Sequence, residues 1–141
     1  MRSQYDAEEV LSNGFIKVFN NLSYYRSEGS FEGLIRKIMV REALNFLRSE
    51  KAFFEETEDS SLEFMAPVEE QRDLEVQDLL QLIDELPTGY RTVFNLFAIE
   101  GYSHQEIAQE LAISEGTSKS QLNKARKMLQ VRMNELVYEQ I

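Results

Sequence analysis

Apolar residues recur at three- and four-residue spacing through most of this chain, and that period admits helices and little else. One such set is Val10, Leu11, Phe15, Val18, Phe19 and Leu22, and a second is Phe31, Leu34, Ile35, Ile38, Leu44 and Leu47. Between them, Ser23 to Ser30 is rich in Ser and carries Gly29, so it reads as a loop whose last residue caps the second helix. The period resumes near Leu74 with Leu79, Leu80, Leu82, Ile83 and Leu86, and stops at Pro87, which suits the first turn of a helix carrying Val93, Phe94 and Phe97. Gly101 ends that helix. Ser103 and Glu106 have the spacing of a capping box ahead of Ile107, Ala108 and Leu111, and Ser114 caps a last helix facing inward through Leu122, Ala125 and Leu129. No stretch alternates as a strand would. The fold class expected is all-α, as two small helical domains, residues 1–51 and 74–141, joined by a linker over 52–73.

Charge explains the linker. The formal net charge of -10 argues against a free-standing, non-specific nucleic-acid binder, since that binding neutralises phosphates with Lys and Arg. The total hides a segregation, however. Glu55, Glu56, Glu58, Asp59, Glu63, Glu69 and Glu70 fall in a stretch without a Lys or Arg, whereas Ser114 to Arg132 carries Lys119, Lys124, Arg126, Lys127 and Arg132 against Glu115 alone. At 43% hydrophobic residues the 141-residue chain is that of a folded protein. It has no Cys and nothing resembling a signal peptide or a membrane span, so no membrane partner and a cytoplasmic location are expected. The single His, His104, belongs to no metal-ligand or catalytic spacing, so neither a cofactor nor an enzymatic activity is expected.

Ser103 to Lys124 has the layout of a helix-turn-helix: a capped short helix, a three-residue turn with a buried Ile113, and a helix opening on small, polar and cationic residues. The residue types suit DNA. Gly116, Thr117 and Ser118 let a helix start approach the duplex, while Lys119, Ser120, Gln121, Asn123 and Lys124 reach base edges and backbone in the major groove. A plain pair of helices with a solvated basic face is the competing reading. His104, at a helix start, suits a phosphate or solvent contact.

Three runs carry a resemblance: Leu86-Pro-x-x-Tyr-Arg-x-Val-Phe, Glu100-Gly-Tyr-Ser-x-x-Glu-Ile-Ala and Ile113-Ser-Glu-Gly-Thr-x-Lys-Ser-x-Leu-x-Lys-Ala-Arg. Together they resemble region 4 of the extracytoplasmic-function sigma factors, which reads the minus-thirty-five promoter element. The resemblance places Ser103, His104, Thr117, Lys119, Ser120, Gln121, Asn123, Lys124 and Arg126 at that element. Two positions depart from the usual pattern, Ser118 standing for Val and Gln121 for Arg.

The first half resembles region 2 of the same family. Asp6-Ala-Glu-Glu-Val-Leu and Phe15-Ile-Lys-Val-Phe-x-Asn-Leu match the helix that grips core RNA polymerase, which implies Asp6, Glu8, Glu9, Ser12, Asn13 and Phe15 as polymerase-binding residues. The run from Phe31 to Arg48 resembles the part that opens the minus-ten element. Separated bases need aromatic or guanidinium surfaces and their backbone needs cations, and here Tyr24, Tyr25, Arg26, Arg36, Lys37, Arg41, Asn45 and Arg48 supply both. On composition alone packing at a domain edge is the favoured reading of the two Tyr, and the resemblance reverses it. Ser12, Asn13, Leu34 and Arg41 depart from the family pattern.

Region 2 of the family has about two helices ahead of the Asp6 motif, so the chain is expected to lack the start of that domain. Val10, Phe15, Val18, Phe19, Leu34, Ile38 and Leu47 would then want partners, and leaving each exposed costs roughly 1.5 to 3 kcal/mol. A second copy of the chain, making a homodimer, would cover them, as would the linker or the C-terminal domain. The resemblance thus implies a factor for transcription initiation whose partners are core RNA polymerase, promoter DNA and an anti-sigma factor. The alternative is a helix-turn-helix regulator whose first half binds another protein.

Overall fold

A computed structural model of the chain describes residues 4–25, 29–49 and 75–139. All the regular structure among them is helical, in two compact units, Met1–Phe53 and Phe54–Ile141. The acidic stretch from Glu55 to Glu70 lies outside the described residues, as does Arg26.

In the first unit α1 (Gln4–Asn21) is followed by a 3-10 turn (Leu22–Tyr24) and by α2 (Phe31–Ser49). Ser30 caps α2 as expected, its Oγ accepting from the Gly33 amide at 3.2 Å. The two helices pack directly on each other. Val10, Gly14 and Val18, one every four residues, form the buried row of α1, and Leu44 and Leu47 are buried on α2. The glycine permits the close approach, because a Cβ there would run into Met39 Sδ. Lys17 and Glu42 form an ion pair beside this seam. Val10, Val18 and Leu47 are buried within the chain. Leu34 and Ile38 are half-buried. Phe15 and Phe19 do remain in solvent, and with Leu11 and Ile16, and Leu22 of the following turn, they form an exposed apolar stripe along α1.

The second unit comprises α3 (Val76–Asp84), α4 (Thr88–Phe94), a π-helical turn (Asn95–Ile99), α5 (His104–Leu111) and α6 (Glu115–Glu139). Pro87 stands immediately before α4, where its missing amide is no loss, and its carbonyl accepts from the Arg91 amide at 2.9 Å. Leu82, Ile83, Leu86, Tyr90, Ala125 and Leu129 form a core in which α3 and α4 close on α6. Val93 and Ile107 are fully buried, and Leu96, Leu111 and Leu122 nearly so. At roughly 1.5 to 3 kcal/mol for each such side chain, this burial is what holds α5 and α6 in place.

Two features were not foreseen. The end of α4 widens into a π turn, marked by the Glu100 amide bonding to the Asn95 carbonyl at 2.9 Å, before Gly101 leaves the helix at φ +76°. Ala112 ends α5 in the left-handed conformation at φ +53°, a place where glycine is more usual.

Candidate nucleic-acid interface

The helix-turn-helix is built by its caps. At the start of α5 the Ser103 Oγ accepts from the Glu106 amide at 3.1 Å while Glu106 Oε1 accepts from the Ser103 amide at 3.4 Å, the reciprocal pairing that the sequence predicts. At the start of α6 the Ser114 Oγ accepts from the Thr117 amide at 3.0 Å and donates to the Thr117 hydroxyl at 2.9 Å. Between them Ala112 makes the reversal, and the Ile113 amide bonds to the Ala108 carbonyl at 3.1 Å. Ile113 is half-buried rather than buried.

α6 then sorts its side chains by its period. Ser118, Gln121, Leu122, Ala125 and Leu129 occupy one arc and are buried. Gly116, Lys119, Asn123 and Arg126 lie on the opposite arc and are exposed, with Ser120, Lys124 and Lys127 half-buried beside them. Gln121 departs from expectation. It is only 2% exposed, so in this conformation its amide does not reach outward to a base, and its Oε1 has no hydrogen-bond partner. The signal lay in the spacing, since Gln121 follows Ser118 by three and precedes Ala125 by four.

His104, the first residue of α5, is half-buried and anchored on two sides. Its Nδ1 lies 2.8 Å from the hydroxyl of fully buried Ser118, and its ring stacks on Phe97, the centroids 4.6 Å apart. Burial holds its pKa below the ordinary value, and the positive charges of Lys119 and Arg126 push the same way while Glu115 opposes them. The Arg126 guanidinium stands 5.7 Å from the centroid of that same Phe97 ring. The sequence reads Phe97 as a core residue of its helix and Ser118 as a small residue facing the duplex, whereas Ser118 is fully buried.

In the first unit Lys37, Arg41, Asn45 and Arg48 fall three or four residues apart and are all exposed, making one polar and cationic stripe along α2. Arg36 is exposed beside it, 3.7 Å from Glu32. The Tyr25 ring meets Phe31 edge to face at 5.5 Å, and its hydroxyl donates to the Gly29 carbonyl at 2.9 Å, so this side chain does pack within its own domain. Of the residues expected to meet polymerase, Glu8, Glu9, Ser12, Asn13 and Phe15 are exposed and Asp6 is half-buried. Glu8, Ser12 and Phe15 share the arc of the apolar stripe on α1, and Asn13 does not. Among the described residues no cluster of His, Asp and Glu could hold a metal ion, and no helix is long and apolar enough to cross a membrane.

Residues 76–129 match the family model for sigma-70 region 4, and residues 1–53 match that for sigma-70 region 2, together more than half of the chain. The chain belongs to the sigma-70 family. It is similar to the RNA polymerase sigma factor SigV of Bacillus subtilis, with 27% identity over 94% of this chain and 79% of that one. It is also similar to the ECF RNA polymerase sigma factor SigE of Mycolicibacterium smegmatis, with 30% identity over 90% of this chain and 51% of the relative. Its fold is that of the sigma factor RpoE from Bartonella quintana, solved in complex with the anti-sigma factor NepR, at a TM-score of 0.59 and 19% identity over 95% of this chain and 84% of that one. The sigma-70 match and these relatives make it a sigma factor of the extracytoplasmic-function type, a subunit for transcription initiation by RNA polymerase.

Proposed function

We propose that this sigma factor reads the two promoter elements with its two units, and that core RNA polymerase holds them in register. The observation that carries the reading is the division of α6 into a buried apolar arc and an exposed arc bearing Lys119, Asn123 and Arg126. A helix so divided can enter the major groove of the minus-thirty-five element without disturbing its core. Asn123 and Ser120 suit base edges there, while Lys119, Lys124 and Arg126 suit phosphates. Ser103 and Thr117, whose hydroxyls are engaged in caps, and His104 lie at the helix starts, where amides and imidazole favour a phosphate.

At the minus-ten element, the α2 stripe of Lys37, Arg41, Asn45 and Arg48, with Arg36, carries the backbone of the separated strand, and Tyr24, Tyr25 and Arg26 supply surfaces for its bases. The apolar stripe of α1, edged by Glu8 and Ser12, docks on polymerase, with Asp6, Glu9 and Asn13 around it. Such a factor works in the cytoplasm, and an anti-sigma protein that covers these same surfaces would silence it; the Bartonella quintana protein was solved with an anti-sigma factor bound. Run-off transcription from reconstituted holoenzyme tests the reading. Transcripts that start at a defined site and disappear on Lys119→Ala with Asn123→Ala are expected, and a chain that fails to bind core polymerase would overturn it.

A further inference from the structure

Phe94 packs against the core of the second unit, whereas Phe97, three residues on, is half-buried and meets His104 and Arg126 instead. We propose that Phe97 is a positioning residue for promoter binding, its ring holding the Arg126 guanidinium and the His104 imidazole in the places from which they meet DNA. The inference rests on the reading that α5 and α6 lie against a duplex.

Three segments converge on the ring. The π turn carries Phe97, and its closure by the Tyr102 amide on the Leu96 carbonyl at 2.8 Å brings the chain back so that α5 begins beside it. Turns of this kind are uncommon and concentrate at functional sites. His104 is fixed on both its ring face and its edge, by Phe97 and by the Ser118 hydroxyl, so the start of α5 is tied to the first turn of α6. Arg126 is exposed and long, and would otherwise sample many rotamers. A guanidinium already lying on an aromatic ring loses less freedom when it meets a phosphate, and that saving appears as affinity. Ser118 gains a role as well, because a hydroxyl buried at this position needs a partner and His104 is the one it has.

The test is a double-mutant cycle on holoenzyme made from the full chain, using as probe a duplex selected from a randomised pool by the wild-type holoenzyme. Phe97→Leu is expected to weaken binding about five-fold, the worth of an exposed cation–π contact. Phe97→Tyr, which keeps the ring, should restore it. Adding Phe97→Leu to Arg126→Ala should weaken binding by less than Phe97→Leu does alone, the remainder being the share that acts through His104. As His104 is the only histidine, its proton resonances can be titrated without assignment, and in Phe97→Leu its pKa should rise toward the ordinary value as burial is relieved. Wild-type affinity in Phe97→Leu, losses that simply add in the double variant, or a Tyr variant as weak as the Leu one would each overturn the proposal. A wild-type holoenzyme that selects no duplex would instead sink the promoter-reading account, and this proposal with it.

Discussion

Replacing Gln121 by Met should stabilise the second unit and leave DNA binding unchanged. The side chain is 2% exposed and its Oε1 has no partner, so folding takes an amide oxygen out of water without giving a bond in return. That desolvation costs about 1–3 kcal/mol, and a thioether of similar length fills the space with no polar atom to satisfy. Met and Gln have about the same helix propensity, so the change leaves the helix itself unaffected. For a unit of this size each kcal/mol moves the thermal midpoint by about 4–8 °C, so a rise of at least about 4 °C is expected. Circular dichroism would follow the helices of the whole chain, and the His104 proton resonances would report on the second unit alone. Affinity of the holoenzyme for its selected duplex should stay within about two-fold, well below the tenfold that 1.4 kcal/mol represents. A lower midpoint together with lost or relaxed promoter preference would refute the reasoning, because it would mean that the amide turns outward to a base.

Ser103→Ala removes the capping-box acceptor of α5 and should lower the stability of the second unit by about 1 kcal/mol, measured by urea unfolding. Ala112→Gly should raise it by about 0.5–1 kcal/mol in the same assay, since glycine adopts the φ of +53° without its Cβ meeting the chain. His104 titrates below its ordinary 6.5, so the unfolded chain takes up this proton first. Its contribution to stability is therefore full above pH 6.5 and is lost as the pH falls through the lower folded value, a slope that should vanish in His104→Gln melts run between pH 7.5 and 5.5. Lys119→Ala should weaken holoenzyme binding alike for all duplexes and reduce the slope of log K against log salt by about 1.

What was legible in the sequence was local or periodic. Ser103 with Glu106, Ser114 with Thr117 and Ser30 with Gly33 declare helix starts within a few residues, and all three hydrogen bonds form. Leu122, Ala125 and Leu129 declare a buried arc by spacing, and they are buried. Gln121 was misplaced because its polarity was weighed above its position on that arc. Asn95–Ile99 could not be told from continuous α-helix, since an apolar period persists whether four or five residues separate the bonded groups. Ala112 gave no sign of the left-handed turn it adopts, because the tertiary contacts of α5 and α6 impose that conformation on a residue that does not prefer it. In the first unit Gly14, buried between Val10 and Val18, carries no hydropathy signal, yet it leaves room for the Met39 side chain of α2. For the same reason Phe97 was read only as apolar, although its neighbours are an imidazole and a guanidinium.

The claim beneath all of this is that the exposed arc of α6 lies in the major groove. A photoreactive residue at position 123, with a control at position 135 on the distal part of the same helix, measures it directly in the holoenzyme bound to its selected duplex. Cross-links from position 123 to bases of the upstream promoter element, and none from position 135, are what the account predicts. Equal cross-linking from both positions, or none from position 123 while the holoenzyme still initiates at its promoter, would contradict it.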